Sequence, residues 1–132
     1  MRPGVLFVSP CRKDATTIAQ MLGSLSLQIE HVADLAHARA RIQKAAYQVV
    51  LTEANLPDGT WIDVLDLAHR VNSQTEVIVT DREADARFWA EVLNRGAYDL
   101  IAQPFATAEV QRILSNACSR LSSQPKVASA AV

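Results

Sequence analysis

The chain has 132 residues, with 13 Lys and Arg against 14 Asp and Glu for a net charge of −1. Apolar residues make up 49% and charged residues 20%, the balance of one ordinary globular domain rather than a disordered chain. The basic residues are scattered, with Arg12–Lys13 and Arg39 and Arg41 as the tightest groups, so no stripe suited to direct nucleic-acid binding forms. No apolar run reaches the ~18 residues of a membrane span, and no signal-peptide core is visible near Met1. The expectation is a cytoplasmic protein with no membrane contact. Cys11 and Cys118 stand far apart without metal-ligand spacing and are expected as free thiols. His31, His37 and His69 do not pair at helical ligand spacing either, so no structural metal and no cofactor is expected.

Short apolar runs alternate with segments of helical period five times. Val5-Leu6-Phe7-Val8 is the first predicted strand. Asp14 opens a helix as its cap, with Ile18, Met21, Leu22 and Leu25 recurring at three- and four-residue steps. Leu27 to Val32 alternates with period two, which predicts an edge strand with one drier face. Asp34 is the predicted cap of a second helix carrying Leu35, Ala38, Ile42 and Ala45. Val49-Val50-Leu51 and Val77-Ile78-Val79 read as central strands covered on both faces. Between them, Leu56-Pro57-Asp58-Gly59 is a turn, and a helix from about Thr60 points Val64, Leu65, Ala68 and Val71 inward. A fourth helix is predicted from Glu83 to Arg95, with Trp89, Val92 and Leu93 on its inner stripe and Gly96 as its stop. Phe88, adjacent to that stripe, is then the better candidate for an exposed contact, the alternative being that both aromatics pack into a wide apolar face. Leu100-Ile101-Ala102 is a short last strand. A final amphipathic helix follows Pro104, carrying Val110, Ile113, Leu114, Ala117 and Leu121.

Five βα units in a chain of this length predict a parallel sheet with right-handed crossovers and helices on both faces, a doubly wound three-layer α/β sandwich. The domain is expected over residues 1–121, with 122–132 as a flexible tail or the start of a linker.

In such a sheet, ligands bind outside the carboxyl ends of the strands. The residues there are Ser9 and Pro10, Thr52 to Asn55, Thr80 and Asp81, and Ala102 to Pro104. No Gly-x-Gly-x-x-Gly, Walker loop or nucleophile elbow occurs. What does occur, in order and each on its strand end, is Glu53-Ala-Asn-Leu-Pro-Asp-Gly59, then Thr80, then Gly96-Ala97-Tyr98-Asp99, then Gln103-Pro104-Phe105. From Val5 to Leu121 this resembles the response-regulator receiver domain of the CheY-like superfamily. The resemblance implies a flavodoxin-like (βα)5 fold with sheet order 2-1-3-4-5.

It also implies a phosphoryl-transfer pocket, and there the sequence departs from the pattern. The acidic pair that holds Mg²⁺ falls on Ser9 and Pro10, which bring no carboxylate. The phosphoacceptor position is Glu53, one methylene longer than Asp. The Lys position is the neutral Gln103, and the aromatic switch position is Leu100. Thr80 alone keeps its expected type. The reading is therefore an atypical receiver without enzymatic activity and with no Mg²⁺ site, acting as a phosphorylation-independent protein-interaction module. In it Glu53 is expected to accept hydrogen bonds from the Thr80 hydroxyl and the Gln103 amide, so that removing its charge costs about 1 kcal/mol. The partner is expected to be a protein: a signalling kinase, an output domain or a second copy. It would meet the face of the fourth helix, fifth strand and fifth helix, with Phe88 and Tyr98 as candidate contacts. The alternatives are a phospho-accepting regulator using a non-standard site and a small-ligand receptor at the strand ends. There Asp58, Asp81, Glu83 and Asp85 add acidic groups to the rim.

Overall fold

The computed structural model describes residues 4–122, without the side chains of the last three, and alternates strands with helices. The order is β1 (Gly4–Val8), α1 (Arg12–Met21), β2 (Gln28–Val32), α2 (Leu35–Lys44) and β3 (Val49–Glu53). There follow α3 (Trp61–Val71), β4 (Glu76–Asp81), α4 (Ala86–Asn94), β5 (Asp99–Ala102) and α5 (Thr107–Ser122). A two-residue hairpin, Asn55–Leu56 against Gly59–Thr60, lies between β3 and α3. The expected tail lies, apart from Ser122 at the end of α5, outside the described residues.

The five strands form one parallel sheet in the order β2-β1-β3-β4-β5, with β2 at one edge as its alternation predicted. Side chains alternate across a strand, so each run of buried residues feeds two cores. Leu6, Val8, Val50, Val77 and Val79 face α2, α3 and α4, where they meet Ala38, Ile42, Val64, Leu65 and Val92. Val5, Phe7, Leu51, Ile78 and Ile101 face α1 and α5, where they meet Ile18, Leu22, Val110, Ile113 and Leu114. This is the flavodoxin-like sandwich, and its two cores leave the carboxyl strand ends as the place where polar side chains converge.

Several local expectations need correction. The first helix starts at Arg12, with Cys11 as an N-cap that makes no side-chain bond, so Asp14 is not a cap. The fourth helix starts at Ala86, because Asp85 accepts the Phe88 N–H at 2.8 Å and caps it there; Glu83 stays in the preceding loop. Ala45 lies one residue past α2 and is exposed. Val71, the last residue of α3, is 47% exposed instead of turned inward.

The two aromatics of α4 also exchange roles. Phe88 lies one helical step of four from the fully buried Val92 and therefore shares its face. It packs edge-on against Trp61 with ring centroids 5.9 Å apart. Trp89 turns outward, 48% exposed, and its Nε1–H donates to Asp99 Oδ1 at 3.1 Å.

Candidate functional site at the carboxyl ends of the strands

β3 runs in register with β4 so that Glu53 lies beside Thr80. Ser9 directly follows β1, is fully buried and is tied on both sides of its backbone. Its N–H donates to Val32 O at 2.9 Å, and its carbonyl sits 2.7 Å from His31 Nε2. The Ser9 hydroxyl accepts the Cys11 N–H at 3.0 Å and donates to Glu53 Oε2 at 3.4 Å. Pro10 is exposed beside it.

Gln103 follows β5, with its own N–H donating to Asp81 O at 3.1 Å. Its side-chain nitrogen donates to Glu53 Oε2 at 2.9 Å and to Thr80 Oγ1 at 3.2 Å. An amide nitrogen has two hydrogens, so both bonds can be made at once. The Thr80 hydroxyl, fully buried, spends its own hydrogen on Ile101 O at 2.8 Å. The donor order is thus Ser9 to Glu53, Gln103 to Glu53, Gln103 to Thr80, and Thr80 to Ile101. Contrary to the expectation from sequence, Thr80 does not donate to Glu53, because the carbonyl of Ile101 on the neighbouring strand takes that hydrogen; the expected bond from the Gln103 amide is present.

Burial pushes the Glu53 carboxyl above its ordinary range, and the nearby Asp14 carboxylate pushes the same way. The bonds from Gln103 and Ser9 and the Arg82 guanidinium hold it back only in part. The folded chain thus favours the ionised form of Glu53 less than water does, even with Gln103 and Ser9 donating to it.

The loop that leaves Glu53 is held by its own residues. Ala54 N–H donates to Thr80 O, and Trp61 N–H donates to Ala54 O, each at 3.0 Å. The Asp58 carboxylate accepts the N–H groups of Leu35 at 2.8 Å and Ala36 at 3.0 Å, closing the first turn of α2 from another segment. A capping box between Thr60 and Asp63 opens α3. Of the four acidic rim residues, Asp58 and Asp85 are thus helix caps. Sequence spacing gives no sign of Asp58's partner, which is 23 residues away.

The remaining predicted positions lie around this network. Leu100 is buried against the α2–α4 core. Tyr98 is half-buried against the other core, with β5 between it and α4. The donor set does not suit the Mg²⁺ that the fold implies. Ser9 offers a hydroxyl already engaged twice, Pro10 has no donor atom for a cation in its side chain, and Glu53 is held by two neutral donors. Among the described residues no three His, Cys, Asp or Glu side chains converge as ligands.

A parallel, doubly wound sheet with Glu53, Thr80 and Gln103 converging at the ends of β3, β4 and β5 defines a receiver-type signalling domain. The model of the response regulator receiver domain family matches residues 8–115, and the chain belongs to that family. It is 22% identical over 96 residues to the response regulator protein PilR of Pseudomonas aeruginosa, covering 73% of this chain and 22% of that one. The chain therefore spans less than a quarter of that relative's length. Among solved structures, it is similar to the signal receiver domain of an HD domain-containing protein from Pseudomonas fluorescens. The TM-score is 0.84 at 22% identity, covering 94% of this chain and 100% of that one. The chemotaxis response regulator CheY4 of Vibrio cholerae gives 0.78 at 23% identity, covering 89% and 99%. No helix among the described residues is long and apolar enough to cross a membrane.

Proposed function

We propose that this receiver domain of two-component signal transduction works without phosphoryl transfer, as a protein-interaction module whose pocket is held in one state. The observation that carries the reading is the Gln103 side chain, whose amide nitrogen bridges Glu53 Oε2 and Thr80 Oγ1 at 2.9 and 3.2 Å. It joins the three strand ends with neutral bonds where phosphoryl chemistry requires a cation to neutralise developing charge. Glu53 has no adjacent carboxylate pair to bring Mg²⁺ to it, since Ser9 and Pro10 stand there.

The partner is a protein, met on the face of α4, β5 and α5. Trp89 is the exposed aromatic of that face, fixed by its bond to Asp99, whereas Phe88 is committed to Trp61. A large, rigid aromatic is the side-chain type that anchors interfaces.

Incubation with acetyl phosphate and Mg²⁺, followed at once by intact-mass spectrometry, tests the absence of transfer. The expected spectrum shows only the unmodified mass. A phosphoryl adduct lost in Glu53→Gln would establish the phospho-accepting alternative.

A further inference from the structure

Beside the strand-end network a cavity of about 390 Å³ opens between α1, the loop after β4 and the loop after β5. Asp14, Thr17, Arg82, Gln103, Pro104 and Phe105 line it. That volume falls within the range of small-molecule sites. Two features of its walls are unusual. The Asp14 Oδ2 atom is buried with no hydrogen-bond partner among the described residues. Arg82, also in the lining, takes part in none of the ion pairs among the described residues, which are His37–Asp34, Arg41–Glu30 and Arg95–Glu91.

A carboxylate and a guanidinium thus face one cavity without reaching each other. Burying a charged oxygen without a donor is costly, so Asp14 favours a ligand that brings N–H groups. A simple cation would satisfy Asp14 and be repelled by Arg82. A simple anion would meet Arg82 and be repelled by Asp14 and by Glu53 behind it. The complement to both groups carries an ammonium and a carboxylate in one molecule. Pro104 and Phe105 add an apolar surface to the same lining, suited to a short aliphatic side chain.

We propose that this cavity is a binding site for a small zwitterion, a free α-amino acid with an apolar side chain. Its ammonium is held by Asp14 and its carboxylate by Arg82, with the side chain along Pro104 and Phe105. The Gln103 side chain lies between this cavity and Glu53, so an occupant touches the same residue that ties the strand ends together. The inference goes beyond the interaction-module reading and does not rest on it. Failure here leaves the phosphodonor result unchanged, and the reverse also holds.

The test is a ¹H–¹⁵N NMR titration of the full chain with L-alanine and L-leucine, beside n-butylammonium chloride and sodium butyrate as single-charge probes. At least one amino acid should give saturable shifts centred on Asp14, Thr17, Arg82, Gln103 and Phe105. The single-charge probes should bind about tenfold more weakly or worse, the effect of losing one charge-assisted bond. Asp14→Asn and the exposed substitution Arg82→Gln should each weaken amino-acid binding by a similar factor. Arg82→Gln keeps the test valid if Asp14→Asn fails to fold. No saturation by either amino acid, equal binding of butylammonium, or unchanged affinity in Arg82→Gln would overturn the proposal.

Discussion

At Glu53 two effects of opposite sign meet. Burial and the Asp14 carboxylate penalise its charge, while Ser9, Gln103 and Arg82 favour it, and the penalty is the larger. A carboxyl whose folded pKa lies above its unfolded value binds its proton more tightly when folded. Its ionisation therefore removes stability as pH rises from the ordinary glutamate range through the raised folded value. Above that window the cost is present in full; below it, both states are protonated and the cost is absent. Glu53→Gln keeps the volume and one acceptor oxygen for Gln103. The variant should thus unfold at higher temperature than the natural chain at pH 7, with the difference shrinking as pH falls below the glutamate range. Thermal melts across pH decide it, and a loss of stability at pH 7 would show that the hydrogen bonds outweigh burial. The identities of Ser9, Glu53, Thr80 and Gln103 as strand-end residues are legible in sequence, because each follows an apolar run. The direction of the bonds is not. Whether Thr80 donates to Glu53 or to Ile101 depends on how the neighbouring strand presents its carbonyl.

Among the elements, the loop from β3 to α3 is the most tightly specified. Gly59 comes so close to α2 that an added Cβ would lie 2.7 Å from Leu35 Cδ2 and 2.8 Å from Asp63 Oδ2. The first atom belongs to the buried first residue of α2 and the second to the capping box of α3, so neither yields freely. Gly59→Ala should therefore destabilise the fold by about 1–3 kcal/mol, the usual cost of overpacking. Chemical denaturation measures it, and a change under a few tenths of a kcal/mol would show that the loop moves aside. Strand positions are well anticipated because continuous β-branched runs between helical segments have few other readings. Helix starts are less so. Asp14 has the residue type of a cap and Glu83 a charge suited to a first turn, but the capping hydrogen bond falls to Asp85 at α4 and to no side chain at α1. The inward face of α4 is misjudged for the same reason, since Trp89 and Phe88 both neighbour Val92 and only the fold shows that Trp61 waits for Phe88.

At the scale of the whole molecule, the sheet brings β1, β3, β4 and β5 to one end and ties them through Ser9, Glu53, Thr80 and Gln103. The tie consists of neutral donors around a half-buried carboxyl, with no Lys and no acidic pair. If the pocket is held in one state, this end of the molecule does not change in response to a phosphoryl group. The most direct measurement is a ¹H–¹⁵N NMR spectrum recorded with and without beryllofluoride and Mg²⁺, since that adduct mimics an acyl phosphate and does not hydrolyse away. The two spectra should superimpose, with the amides of Glu53, Thr80 and Gln103 and those along α4 and β5 unmoved. Slow-exchange shifts at Glu53 that spread to Thr80, Gln103 and α4 would contradict it and identify Glu53 as a working acceptor.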